Sequence, residues 1–169
     1  ILAPFINTAD QAEEGARACR YPPTGIRGFG PHRAAQYGLR TEEYFATIDE
    51  LVVFIALIET AEAVENIDEI LAVEGVDTFI IGPVDLSISL GVPFDYESQI
   101  FQDAQARLAA AAHRAGKPAG IGIYRPAFDP QSLQRAIDDG FSVLLAGGDE
   151  PFLGSGCSQM AQIRTDLGY

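Results

Sequence analysis

Five short apolar runs, each closed by turn-forming residues and followed by a helix-period pattern, alternate along this 169-residue chain. They occupy residues 1–6, 52–58, 78–81, 119–124 and 141–146. Continuous apolar runs of this length read as strands buried on both faces, and their alternation with helices predicts an α/β fold built on a parallel sheet with right-handed crossovers. Two architectures satisfy that pattern. Five units make a complete doubly wound sheet, or they are the C-terminal five βα units of a (β/α)8 TIM barrel. The chain opens on ILAPFI, as though already inside a strand. That start favours the barrel and predicts a piece of a longer protein: one domain over residues 1–169, lacking its first three βα units.

The helical segments carry their own start and stop signals. Thr8 with Gln11 three residues on forms a capping-box pattern for a helix over residues 8–19. Residues 20–40 are rich in Gly and Pro without periodicity, a length of connection that is usually functional or mobile. Thr41 is the expected cap of a short helix presenting Tyr44, Phe45 and Ile48 on one face. Val64, Ile67 and Leu71 predict one helix over 61–72, and Ser98 with Gly116 brackets an Ala-rich helix over 98–115. Asp129-Pro130 is a cap plus a first-turn proline for a helix burying Leu133 and Ile137. A last helix over 155–167 is expected to turn Met160 and Ile163 inward.

The charge excludes some functions. Eleven basic against 24 acidic residues give a net charge of −13, which repels phosphate backbones and argues against a nucleic-acid partner. No 18-residue apolar span predicts a membrane segment. Cys19 and Cys157 offer neither a disulfide framework nor metal-ligand spacing, which fits a reduced, cytoplasmic setting.

Two carboxylates stand out. The run 52–58 ends in Glu59, and the run 78–81 stops at Gly82-Pro83 with Asp85 just beyond, on the loop leading to the next helix. In parallel α/β proteins, ligands bind at the C-terminal edge of the strands, and the 26-residue separation is about one βα unit. Two acids closing consecutive strands would point into one mouth. Mg²⁺ or Mn²⁺ takes oxygen ligands and keeps several waters, so one or two carboxylates suffice to hold it, with positions left for a chelating 2-oxo acid. The amides of Val84 and Asp85, entering a helix, could hold the substrate carboxylate. Taken singly, either acid reads more readily as a structural helix cap; the two in one register bring the site reading level with it.

Other candidates carry less. His32 and Arg27 lie in the Gly-Pro-rich stretch, where His32 is a minor catalytic candidate and Arg27 could bind an anion but more readily anchors the loop by a salt bridge; GIRGFG lacks the strand-to-helix context of a dinucleotide site. His113 is expected to face solvent. Gly147-Gly148-Asp149 could line the mouth or form a plain turn, and Cys157 has no base nearby in sequence.

YPPTGIRGFG, IALIETAEAVENIDEIL, GVDTFIIGPVDLSISLG and GFSVLLAGGD resemble the metal-dependent pyruvate aldolases of the 4-hydroxy-2-oxoheptanedioate aldolase family, which includes macrophomate synthase and, more distantly, the citrate lyase β subunits. The resemblance runs from Ile1 to about Asp149. It implies a TIM barrel that donates its C-terminal helix to a neighbour in a homodimer, with dimers often gathered into hexamers. It also implies aldol cleavage or condensation, or oxaloacetate decarboxylation, through a pyruvate enolate. Glu59 and Asp85 match the two metal ligands, and Val84 and Asp85 match the positions whose amides hold the pyruvate carboxylate. The family's catalytic arginine, and the histidine and acid that act as base, belong to the first three strands; no residue here corresponds to them, and His32 is not that histidine. Where the family usually has Gln, two residues before the ligand Glu, this chain has Leu57, which removes a hydrogen bond expected near pyruvate. Beside the lyase stand two other readings: a non-catalytic or altered-specificity relative that binds metal or an oxo acid, and a self-contained doubly wound domain binding a phosphorylated ligand.

Overall fold

In the computed structural model, which describes residues 1–123 and 130–169, the five strands form one parallel sheet in the order β1-β2-β3-β4-β5. They are β1 (Leu2–Ala3), β2 (Ile55–Ile58), β3 (Thr78–Ile81), β4 (Ala119–Ile123) and β5 (Val143–Ala146). Each strand pairs with the next in sequence, and the order never reverses. A doubly wound sheet needs a reversal to create its ligand crevice, so this alternative is set aside.

The helices are α1 (Ala9–Ala18), α2 (Thr41–Leu51), α3 (Ala61–Glu65), α4 (Ile67–Ala72), α5 (Pro83–Ser89), α6 (Gln99–Ala115), α7 (Pro130–Asp138) and α8 (Asp149–Asp166). The core lies between the sheet and its helices. Ala56 and Ile58 of β2, with Phe79 and Ile81 of β3, face Ile67, Ile70 and Leu71 of α4 and Phe101 and Leu108 of α6. Each of these larger apolar side chains, fully buried, contributes about 1.5–3 kcal/mol. Along β2 the alternate residue, Leu57, pairs in register with Ile80 on the other face.

Several local expectations hold. Thr8 and Gln11 form the capping box of α1. The Ser98 hydroxyl accepts from the Phe101 amide at the start of α6, and Gly116 ends that helix at φ 65°. β3 begins and ends where the sequence placed it.

Others are corrected. β1 pairs only through Leu2 and Ala3, because Pro4 has no N–H to give the ladder and Phe5 turns the chain at φ 52°. Thr41 is not a cap: Arg40 occupies the N-cap position, and the Thr41 hydroxyl donates to the Gly38 carbonyl. Tyr44 and Ile48 are half-buried, but Phe45 is 50% exposed. The helix over 61–72 is two helices broken at Asn66, whose φ and ψ of −93° and 8° leave the helical region. The break still leaves Val64, Ile67 and Leu71 in the core. In α7, Ala136 is the buried residue and Leu133 is half-buried, while Ile137 is 52% exposed, one position round the helix from that stripe. The Asp129 cap lies outside the described residues, as does Tyr124 at the end of the predicted fourth strand. α8 starts six residues earlier than expected and has no buried residue; Met160 and Ile163 are 66% and 49% exposed.

Candidate functional site

Glu59 follows the last residue of β2 and Asp85 lies in the first turn of α5, immediately after β3. Both therefore stand at the C-terminal edge of neighbouring parallel strands. The helix begins earlier than the sequence suggested: Pro83 is its first residue, a position where a missing N–H costs nothing. Asp85 is thus on a helical turn rather than a loop. Its negative charge lies at the positive end of the α5 dipole, and the amides of Val84 and Asp85 belong to the first turn, which has no intrahelical acceptors.

Glu59 is 7% exposed, a rare condition for a carboxylate. Its Oε2 accepts from the Phe5 amide at 3.1 Å. Its other oxygen lies over Gly82, where an added Cβ would come within 2.7 Å of Oε1. Burial pushes the Glu59 carboxyl above the usual carboxylate range; the Phe5 N–H opposes the shift and the charge of Asp85 adds to it. The Asp85 charge adds to the cost of ionising the buried Glu59, and a cation held by both carboxylates would offset it. The donors are all oxygen, the chemistry that suits Mg²⁺ or Mn²⁺. Among the described residues no group of three or more His, Cys, Asp or Glu gathers, so a cation here would complete its shell with water or substrate.

The residues after Glu59 are tied to both neighbouring units. Thr60 caps α3 by accepting from the Ala63 amide, and its hydroxyl donates to Asn7 Oδ1 at 2.6 Å. The Ala61 amide donates to the Ser89 hydroxyl at 3.0 Å, and Asn66 Nδ2 donates to the Asn7 carbonyl at 2.9 Å. Sequence reasoning missed Phe5, Asn7 and Ser89. Thr60 before a helical pattern was the only legible sign of this frame.

The weaker candidates fall elsewhere. His32 is exposed, on a 3-10 turn (His32–Gly38) within the long connection from α1 to β2. That connection starts at the opposite edge of the sheet from Glu59: Arg20 donates to the Gly75 carbonyl and pairs with Asp77, which in turn accepts from the Phe54 amide. Arg27 stacks over the Tyr21 ring, 4.9 Å from its centroid, rather than forming a salt bridge among the described residues. His113 is exposed, as expected, and borders a cleft of about 460 Å³ with Lys117 and Asp139. Gly147 and Gly148 lead into α8, of which Asp149 is the first residue. Cys157 is exposed on α8 and Cys19 is buried; both are free.

The chain matches the HpcH/HpaI aldolase/citrate lyase family over residues 1–149. It is 40% identical over 163 residues to the hydroxypyruvate/pyruvate aldolase of Rhizorhabdus wittichii, covering 95% of this chain and 62% of that protein. With the 2-keto-3-deoxy-L-rhamnonate aldolase of Escherichia coli it shares 41% identity over 135 residues, 79% of this chain and 50% of the relative. The crystal structure of an HpcH/HpaI aldolase/citrate lyase family protein from Burkholderia cenocepacia matches with a TM-score of 0.84 at 31% identity, covering 95% of this chain and 63% of that one. The chain therefore spans between half and two thirds of the length of these relatives.

Proposed function

Because the chain belongs to the HpcH/HpaI aldolase/citrate lyase family, we propose that it is the C-terminal five-unit portion of a TIM-barrel carbon–carbon lyase acting on 2-oxo acids. Five of a barrel's eight units are five-eighths of it, close to the 62% of the Rhizorhabdus aldolase that the chain covers. The unreversed strand order supports a barrel segment rather than an open sheet.

The observation that carries the reading is the Glu59–Asp85 pair at adjacent strand ends, with Glu59 buried and its ionisation opposed by that burial and by the Asp85 charge. In this reading Glu59 and Asp85 hold a divalent cation, Mg²⁺ or Mn²⁺. When bound, the cation supplies Lewis-acid stabilisation of the charge that develops on the keto oxygen as the carbon–carbon bond breaks. The Val84 and Asp85 amides orient the substrate carboxylate against the first turn of α5. Gly82 leaves room for the Glu59 carboxylate. Proton transfer falls to groups outside these five units.

Titration calorimetry with Mn²⁺ on the full-length protein tests the assignment. Asp85→Asn keeps the side-chain shape and removes a formal charge, so the affinity falls at least tenfold; equal affinity for the two proteins overturns it.

Leu57 favours a variant of the same reading. It lies on the opposite face from the core residue Ile58, beside Ile80, and is half-buried. Continued one residue past β2, strand alternation sets it on the side where Glu59 emerges. An apolar residue there fits a relative of altered specificity, slow with pyruvate itself.

Assembly and setting follow the same family reading. α8 offers Phe152, Leu153, Met160 and Ile163 to solvent, which supports a homodimer in which this helix packs on a neighbour, with a hexamer as the larger form. Among the described residues no helix is long and apolar enough to cross a membrane. Two free cysteines suit a cytoplasmic protein, and the net charge of −13 argues against nucleic acid as a partner.

A further inference from the structure

Glu59 has three side-chain torsions, and fixing such a chain in one rotamer costs up to about 2 kcal/mol of entropy. A carboxylate that must meet a cation at a set position needs more than burial to hold it. Its far end is secured from both sides: Phe5 donates to Oε2, and the Cα of Gly82 backs Oε1. What secures its root is less obvious, because Glu59 lies beyond the last paired residue of β2, where the ladder no longer fixes the backbone.

The two residues that follow Glu59 are each bound to a different neighbouring unit. From the β1 side, Asn7 accepts the Thr60 hydroxyl at 2.6 Å and holds Asn66 through its own carbonyl at 2.9 Å. From the β3 side, Ser89 accepts the Ala61 amide at 3.0 Å. The segment whose Phe5 amide meets the carboxylate also carries Asn7, which holds the side chain of Thr60 next to Glu59. Likewise, the helix that opens beside Gly82 and carries Asp85 closes on Ser89. Each neighbouring unit thus grips Glu59 twice, once at the tip and once just past the root.

Thr60 satisfies the Ala63 amide by itself and does not need Asn7 in order to cap α3. The Ala61 amide, in the first turn of α3, is at the surface where water could serve it, so Ser89 is not required for its satisfaction either. Both bonds are dispensable for capping, and their shared effect is to fix the chain between Glu59 and α3.

We propose that Asn7 and Ser89 are positioning residues that hold the backbone after Glu59 from its two neighbouring strand units, and so aim the Glu59 carboxylate at the cation shared with Asp85. This rests on the metal-site reading above. Removing a side chain that orients a ligand typically weakens metal binding by about 10- to 100-fold. Here the hold is indirect, through the backbone, and the expected loss is at the lower limit, threefold to tenfold for each site.

The test measures Mn²⁺ affinity by electron paramagnetic resonance, with thermal stability alongside, on the full-length protein and on Asn7→Ala, Asn7→Asp, Ser89→Ala, Ser89→Thr and Glu59→Gln. The Ala variants lose threefold to tenfold in Mn²⁺ affinity at a temperature where all are folded. Asn7→Asp keeps an oxygen acceptor and Ser89→Thr keeps the hydroxyl, so each restores most of the loss. Ser89 is exposed, so its pair supplies the readout even where Asn7→Ala unfolds. Lowered melting temperatures with Mn²⁺ affinity within twofold of wild type would make the bonds simple loop staples and overturn the proposal. Glu59→Gln binding Mn²⁺ as tightly as wild type would instead defeat the metal-site reading, and the proposal with it.

Discussion

Gly82 and Glu59 are in contact across the β2–β3 edge so closely that a Cβ on Gly82 would stand 2.7 Å from Glu59 Oε1 and 2.8 Å from its Cγ. The backbone of Gly82, at φ −88° and ψ 94°, is open to any residue. Its glycine is therefore dictated by space for the carboxylate, not by conformation. The same two strands place Asp85 one turn further on, so clearance, buried acid and exposed acid form one local unit.

Gly82→Ala is expected to displace the Glu59 carboxylate, costing about 1–3 kcal/mol of stability through overpacking and lowering Mn²⁺ affinity at least tenfold. In a Glu59→Asp background, one methylene shorter, the same Ala substitution costs less. Calorimetric unfolding and Mn²⁺ titration of the four proteins of this cycle give the coupling directly. Additive effects would mean that the two residues do not constrain each other.

Glu59 also makes stability depend on pH. Its carboxyl titrates above its unfolded value of 4.5, so the fold favours the protonated form. The contribution is fully present below 4.5 and is lost as pH rises through the folded value. In chelator, wild type therefore weakens relative to Glu59→Gln across this window, and saturating Mn²⁺ reverses the order at neutral pH. Denaturant unfolding of both proteins at several pH values checks this, and parallel pH profiles in chelator would contradict it.

How much was legible depended on how local each signal is. β3 could be bounded to the residue because TFII lies between Asp77 and Gly82-Pro83, all within one short stretch. β1 could not, since a left-handed Phe5 has no sequence mark when the residue is not glycine. The break at Asn66 is stabilised by a bond to Asn7, 59 residues away, and the 3.6-residue period passes through it undisturbed. The two acids were legible because Glu59 directly follows one apolar run and Asp85 lies just past the Gly82-Pro83 that stops the next. Phe5 and Ser89, 54 and 28 residues from the groups they hold, were not. Nor does the spacing of Met160 and Ile163 reveal that both are exposed on α8.

A polypeptide of these 169 residues alone is expected to self-associate. β1 and β5 are the edges of the sheet among the described residues, and parallel sheets seldom leave such edges open. α8 adds Leu153 and Met160, 68% and 66% exposed. Sedimentation and size-exclusion chromatography will give dimers or larger species; a cooperatively folding monomer at micromolar concentration would contradict the expectation.

Leu57 is an apolar residue two positions before the proposed ligand Glu59, and the structure gives its substitution a direction. The side chain is half-buried and in register with Ile80, on the face opposite the core residue Ile58, so a glutamine in its place would carry its amide toward a 2-oxo acid bound as proposed above. Leucine leaves a desolvated polar atom of a bound pyruvate one partner short, a cost of about 1–3 kcal/mol. Restoring the partner recovers part of that, and about 1.4 kcal/mol corresponds to a factor of ten in rate. Leu57→Gln in the full-length protein should therefore raise kcat/KM for oxaloacetate decarboxylation or retro-aldol cleavage by roughly tenfold with Mg²⁺ or Mn²⁺. The gain should lie mainly in kcat if the bond strengthens as charge develops on the keto oxygen, and in KM if it serves only to bind. An unchanged or lower kcat/KM would mean that Leu57 faces an apolar portion of the true substrate. The search would then move to 2-oxo acids whose carbon chain, rather than a polar group, lies against β2 and β3.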